Sequence, residues 1–208
     1  MTQITLDEYS SLIHLRSPYA SLQLNTMSKE KIVTELLELL LEEQSRDQKA
    51  AVLYDIKSNR HFLKGFLNIR KAKPLPSDFL TKLDNLLQSE LLDKGIVRVD
   101  QLKSILELIP HCTYNHSNKF ILWQGDIIRL GADAIVNAAN KYMLGCFQYN
   151  HACIDNAIHS AAGPQLREDC RIIMSMQGEP ENTGSAKITR GYNLPARYVL
   201  HYCRTYCS

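Results

Sequence analysis

The densest run of reactive side chains lies between residues 145 and 159, Gly-Cys-Phe-Gln-Tyr-Asn-His-Ala-Cys-Ile-Asp-Asn-Ala-Ile-His. Cys146, His151 and Cys153 fall within eight residues there. Two thiolates and an imidazole suit zinc by ligand softness. Three protein ligands would leave one tetrahedral position for water or substrate, the pattern of catalytic rather than closed structural sites. The C-x4-H-x-C spacing is not that of a standard zinc finger, so on chemistry alone the trio reads equally well as three unrelated buried residues. Asp155 stands two residues further on and could serve as a base or an electrostatic partner. His159, one helical turn later, reads as a core or capping histidine rather than a fourth ligand. Cys112 and Cys170 read as free buried thiols.

These residues need a scaffold, and the surrounding sequence supplies one. Lys119–Gln124 is a short apolar run ending in the turn Gly125-Asp126, and Asp133–Ala139 is a second apolar run; both read as strands. Helical patterns cover Ile154–Ala162 and Gln165–Met174, with Gly163-Pro164 between them, and Ala186–Thr189 and Tyr198–His201 are further strands. Strands alternating with helices indicate an α/β layer architecture, in which ligands gather at the carboxyl ends of the strands. Asp126, Asn137 and Asn140 stand at such ends. Amide side chains there offer donors and an acceptor to sugar hydroxyls and purine edges. Singly, each has a plainer reading: Asp126 as a turn or cap residue, the asparagines as ordinary strand-end residues.

The first 111 residues differ in kind. They hold none of the six cysteines, and only Gly65 and Gly95 among the glycines. A boundary near residue 112 therefore separates a helical extension, 1–111, from an α/β part, 112–208. Apolar residues at helical spacing mark one helix from Ser28 to about Gln44, and further patterns run through Val52–Ile56 and Phe62–Ile69. Lys73-Pro74-Leu75-Pro76 breaks the periodicity. Ser77 or Asp78 should cap the next helix and Gly95 should end it in a left-handed conformation. A last short helix is expected from Asp100 to Pro110. His61 and Tyr54 read as packing or surface groups, and the leucine stripes as a bundle core.

Charge and hydropathy exclude some partners. The chain of 208 residues carries 24 Lys+Arg against 22 Asp+Glu, a net charge of +2. No electrostatic surplus asks for a nucleic acid. No apolar run approaches the roughly 20 residues that span a bilayer. The first residues lack the basic and apolar regions of a signal peptide. The reading is a cytoplasmic protein with reduced cysteines, and no nucleic-acid or membrane partner.

Trp123-Gln-Gly-Asp-Ile127, Asp133-Ala-Ile-Val-Asn-Ala-Ala-Asn140 and Ile154-Asp-Asn-Ala-Ile-His-Ser-Ala-Ala-Gly-Pro164, in that order, resemble the macrodomain family. Gly184–Thr189 and Leu194–His201 continue the resemblance, which covers about residues 119–201. The Cys-His-Cys insertion resembles the zinc-containing microbial subgroup, whose members carry a helical N-terminal extension and are often associated with lipoate-dependent protein ADP-ribosylation. The resemblance implies a three-layer α/β/α fold that binds ADP-ribose. It implies that Asp126 accepts the adenine amino group, that Ile127 offers its backbone N–H, and that Asn140 holds the distal ribose. Cys146, His151 and Cys153 would hold zinc beside that ribose. Asp155 matches the position that orients or activates water in related hydrolases. The usual glycine-rich stretch before that aspartate is replaced here by the zinc-ligand segment, so water activation would rest on zinc.

Members of that family follow the last matching strand with His-Thr-Val-Gly-Pro and continue well beyond it. Here His201 is followed by Tyr-Cys-Arg-Thr-Tyr-Cys-Ser. A one-base shift in a possible codon string restores His-Thr-Val-Gly-Pro-Ile. The expectation is therefore an incomplete macrodomain with a shifted tail, an exposed sheet edge and no second phosphate-binding loop. The expected function is a zinc-dependent hydrolase that removes ADP-ribose from mono-ADP-ribosylated proteins, a lipoyl-carrier protein among them. The alternatives are a module that binds ADP-ribose without hydrolysis and a non-functional fragment.

Overall fold

The structure is a computed structural model, and it describes residues 3–19, 27–42 and 56–204. The helices are α1 Leu6–Tyr9, α2 Lys29–Glu42, α3 Ile56–Ile69, α4 Ser77–Lys94, α5 Ile105–Leu108, α6 Ile154–Ala162 and α7 Pro164–Gln177. The strands are β1 Val97–Arg98, β2 Leu130–Gly131, β3 Ala134–Ala139, β4 Ala186–Arg190 and β5 Tyr198–Cys203.

Helices α2, α3 and α4 form a bundle through the leucine stripes. Leu36, Leu37, Leu63, Leu83 and Leu86 are all buried in one apolar cluster. Helix α2 starts where the sequence places it, with the Lys31 N–H donating to Ser28 Oγ at 3.3 Å. The expected helix through Val52, Leu53 and Tyr54 lies outside the described residues, and Ile56 opens α3. Helix α4 departs from expectation at its start. Pro76 is the N-cap, Ser77 is already helical, and no side chain caps the turn. Gly95 ends α4 with φ 75° but an extended ψ of 146°, so the positive φ is present without the left-handed ψ. The single helix expected over Asp100–Pro110 is two pieces, a 3-10 turn at Val99–Gln101 and α5, because Ser104 caps a new start in a reciprocal box with Glu107.

The C-terminal part is an α/β layer. A three-stranded sheet runs β3-β5-β4, with β5 parallel to β3 and antiparallel to β4. Alternation sorts the strand side chains: Ile135, Asn137, Ala139, Val199, His201 and Cys203 are buried, whereas Val136 and Tyr202 are 54% and 42% exposed. Helices α6 and α7 cover the buried face through Ile158, Ala162 and Leu166. Tyr9 of α1, with Ile13 and Leu15 after it, packs beside Ile188 and Tyr198 of the same sheet. Lys119–Gln124 is not a strand. Its first residue closes a 3-10 turn, Ser117–Lys119, and Leu122 is 82% exposed. Apolar residues make a strand only where a neighbour takes up the backbone groups, and the parallel pairing nearby is β1 with β2, Val97 opposite Leu130.

The helical bundle and the α/β layer are joined by buried polar contacts. Asn193 Nδ2 donates to Asp84 Oδ1 at 2.5 Å and to the Ala162 carbonyl at 3.0 Å. Gln165 Nε2 also reaches Asp84 Oδ1, at 2.9 Å, and Tyr19 donates to the same carboxylate. The Tyr9 hydroxyl accepts from the Ile188 N–H of β4 at 3.0 Å.

Candidate metal centre and active site

The loop from Asn140 to Cys153 links the carboxyl end of β3 to the start of α6. Its first turn is held by Asn140, whose Oδ1 accepts from the Tyr142 N–H at 2.9 Å and whose Nδ2 donates to the Gly145 carbonyl at 3.1 Å. The fully buried Met143 anchors the loop. Gly145 follows with φ +84°, and a Cβ there would stand 3.2 Å from His159 and Arg167 atoms. Both the backbone angle and the close approach call for glycine.

Past that glycine the sequence-predicted trio converges. One ligand atom from each of Cys146, His151 and Cys153 lies within 4.8 Å of the other two. Cys146 Sγ is 3.4 Å from His151 Nδ1. His151 is exposed and both thiols are half-buried, so the group faces solvent on one side. Cys153 is also the N-cap of α6, with Sγ accepting the Asn156 N–H at 3.4 Å. Burial raises the Cys153 thiol above its ordinary value, with Cys146 beside it adding to the rise, while that helix N–H works the other way. Without a cation the Cys153 thiol holds a proton that a divalent metal would displace. The donor set, its spacing and its open side all fit a zinc site with a vacant fourth direction.

Asp155 turns inward onto β3. Its Oδ1 accepts from Asn137 Nδ2 at 2.7 Å and lies 3.5 Å from His159 Nε2. Burial raises its carboxyl above the usual range. Asn137 Nδ2 also meets His201 Nδ1 at 3.2 Å. An amide nitrogen only donates, so Nδ1 is the acceptor and the His201 proton sits on Nε2. That nitrogen is 3.0 Å from Thr189 Oγ1 and 3.7 Å from Cys170 Sγ. Burial holds His201 neutral, at about 3, and holds His159 well below its ordinary value. His159, Cys170 and His201 thus make a second, wholly buried group of ligand-type atoms within 4.8 Å of one another.

The histidine expected to be core or capping is indeed buried, and so is Cys170, whereas Cys112 is half-buried. The hub role of His201 and Asn137 was not read from the sequence. The signal was available: Asn137 and His201 stand at the inward positions of their strands, between Ile135 and Ala139 and between Val199 and Cys203. A polar residue on an apolar strand face must find a partner there.

Asp126 sits apart from this loop. It is exposed and caps the 3-10 turn Ile127–Arg129, accepting the Ile128 N–H at 3.2 Å. It lines a cleft of about 290 Å³ together with Arg60, Lys64 and Lys94 of the helical bundle and Ala157 and Ser160 of α6. No residue of the 146–153 loop lines that cleft. Helix α6 connects the two, with Cys153 at its N-terminus and its outer side in the cleft.

Residues 136–208 match the Macro domain family. The chain is 42% identical over 166 residues to a protein-ADP-ribose hydrolase of Treponema medium, covering 80% of this chain and 61% of that protein. It is 46% identical over 138 residues to a protein-ADP-ribose hydrolase of Staphylococcus aureus (strain MSSA476), covering 66% of this chain and 48% of that protein. Among solved structures, a Trypanosoma brucei macrodomain in complex with ADP-ribose is 29% identical, with a TM-score of 0.45 over 64% of this chain and 56% of that one. No helix of the described residues is long and apolar enough to cross a membrane. The chain spans about half to three fifths of the length of the curated relatives it matches, and the Macro domain match falls on the stretch that holds Cys146, His151, Cys153 and Asp155.

Proposed function

We propose that this chain carries the metal centre of a zinc-dependent protein-ADP-ribose hydrolase acting in the cytoplasm. The observation that carries the reading is the convergence of Cys146, His151 and Cys153 at the N-terminus of α6, in a chain at least 42% identical to two protein-ADP-ribose hydrolases. When bound, zinc would supply Lewis-acid polarisation beside the reacting sugar. The chain's own residues do the rest. Asp126 and the Ile127 N–H receive the adenine end of ADP-ribose in the cleft beside α6. Asn140 keeps the loop folded with one amide N–H and offers the other to the distal ribose. Asp155, its Oδ1 held by Asn137, is a buried carboxyl of raised affinity for protons and takes the proton from the attacking water through Oδ2. The bond cleaved joins ADP-ribose to an acceptor side chain, with ADP-ribose and the free protein as products. A lipoyl-carrier protein is the substrate to try first.

Incubation with a mono-ADP-ribosylated carrier protein tests this. Label should leave the carrier with the chain present. Asp155→Ala should lower turnover by at least about 100-fold, the low end of general acid–base contributions, with little change in ADP-ribose affinity. Binding of ADP-ribose with full retention of the label would favour a module that recognises the modification without removing it.

A further inference from the structure

Helix α3 of the N-terminal bundle touches the metal loop along its length, from His61 to its carboxyl end. Gly65 is buried in the middle of α3, where glycine costs about 1 kcal/mol relative to alanine. The reason lies in the loop: a Cβ at Gly65 would fall 2.1 Å from Cε2 and 2.2 Å from Cζ of Tyr149. The Tyr149 ring therefore rests on bare helix backbone, with its edge against Phe66 and His61, ring centres 6.2 Å away in both cases. Next to it, Asn150 Nδ2 donates to the His61 carbonyl at 3.0 Å. Tyr149 and Asn150 directly precede the ligand His151.

The other side of the loop is held from the same helix. Asn68 is buried; its Oδ1 accepts from Asn156 Nδ2 at 3.1 Å and its Nδ2 donates to Ser160 Oγ at 2.9 Å. Asn156 Nδ2 also donates to the His151 carbonyl at 2.9 Å. At the carboxyl end of α3, Arg167 of α7 donates to the Leu67 and Arg70 carbonyls at 2.9 and 2.7 Å and lies over the Phe147 ring at 4.7 Å. The carbonyls left over at a helix end are thus tied to the residue that follows Cys146.

We infer that α3 is a positioning element of the metal centre: it sets the backbone of residues 147–151 so that His151 meets Cys146 and Cys153. The helical bundle is then part of the site rather than an appendage to it. This rests on the reading that the three residues bind a metal. Groups that orient metal ligands from behind are worth about 10- to 100-fold in metal affinity, which sets the size of the effect.

The test is a zinc titration of the 208-residue chain against a competing chelator. Gly65→Ala should weaken zinc affinity by about 10-fold or more, although alanine is the better helix former. Asn68→Ala, which leaves the helix backbone unaltered, should weaken it similarly. In a Tyr149→Ala background, Gly65→Ala should have no further effect, since nothing remains to collide with. Cys153→Ala reports on the metal reading itself. If Cys153→Ala loses zinc while Gly65→Ala and Asn68→Ala keep the parent affinity, α3 does not position the site and the inference is overturned alone. If the parent chain binds no zinc, both the metal reading and the inference fall.

Discussion

Two groups of cysteine and histidine draw on helix α6, one at its N-cap Cys153 and one through its buried His159, and by proximity they cannot be told apart. Cys146, His151 and Cys153 gather within 4.8 Å, and so do His159, Cys170 and His201. Their surroundings differ completely. The first group stands on a loop and a helix N-terminus with His151 exposed, and the hydrogen bonds of the loop end on backbone and on neighbouring side chains. The second is buried throughout. Its His201 nitrogens are already engaged by Asn137 and Thr189, and burial lifts the Cys170 thiol well above its ordinary value. A metal needs deprotonated ligands, spare lone pairs and a way in. The first group alone has the way in; the second is closed off on every side, which reads as a core built of ligand-type residues.

The largest effect expected from this contrast is all or none. Cys153→Ala should take the zinc content from about one equivalent to none, because a site with two protein ligands is no longer the three-ligand open site. Cys170→Ala should leave the zinc content where it was and lower only stability. Elemental analysis of the two purified variants, side by side, checks it. Zinc lost from Cys170→Ala and kept in Cys153→Ala would reverse the assignment of the two groups.

A smaller effect follows from the neutral imidazoles. His159 and His201 both bind protons more weakly folded than unfolded, His201 at about 3. Below the ordinary value of 6.5 the unfolded chain takes up protons that the folded one refuses, so stability falls as the pH falls from there toward 3. Between pH 7.5 and 5.5 His201 should cost about 1 kcal/mol, and His159 acts in the same direction. Asp169 and Asp155 work in the opposite sense: burial lifts both carboxyls, Asp169 to about 6, so their protonation offsets part of that cost. The net should be a loss on the order of 1 kcal/mol, read from urea unfolding of chelator-treated protein so that proton competition at Cys146, His151 and Cys153 is absent. His201→Gln keeps an acceptor for Asn137 and should remove about 1 kcal/mol of that dependence. Stability that is level from pH 7.5 to 5.5 in the parent chain would mean that the buried rings do protonate in place, and the contrast in access would fail.

Much of this was legible beforehand, and the part that was not has a common cause. Helix α6 runs Ile154–Ala162 as its pattern requires, and β3, β4 and β5 fall on the apolar runs assigned to them. The meeting of Cys146, His151 and Cys153 was visible because the three lie close in sequence. Asn137, Thr189 and His201 were opaque as a unit because they meet only through the pairing of β5 with β3 and β4, which places Asn137 opposite His201 and Thr189 opposite Val199. Lys119–Gln124 was misread for the same reason in reverse: a strand pattern says what a segment would do beside a partner, not whether one is there. The contacts of Gly65 and Asn68 with the loop were invisible too, since they join residues 84 and 88 positions apart.

The finest test of the contrast is one hydroxyl. If His201 carries its proton on Nε2, that N–H is buried and needs an acceptor, and Thr189 Oγ1 at 3.0 Å is the near one; Cys170 Sγ at 3.7 Å is a weak substitute. Thr189→Val replaces the hydroxyl with a methyl group of nearly the same shape, on a strand where a β-branched residue is at home. The change should cost about 1 kcal/mol, the ordinary value of one buried hydrogen bond, measured as a shift in urea midpoint with an unchanged slope. Zinc content should not move. The outcome separates two descriptions of the same atoms. Were His201 Nε2 a lone pair shared with Cys170 around a cation, the threonine hydroxyl would be a bystander, valine would cost nothing, and the stability of the chain would fall on adding a chelator even in Cys153→Ala. A loss near 1 kcal/mol that is indifferent to the chelator instead fixes the tautomer, and with it the direction of the hydrogen bonds that run from Thr189 through His201 and Asn137 to the carboxyl of Asp155.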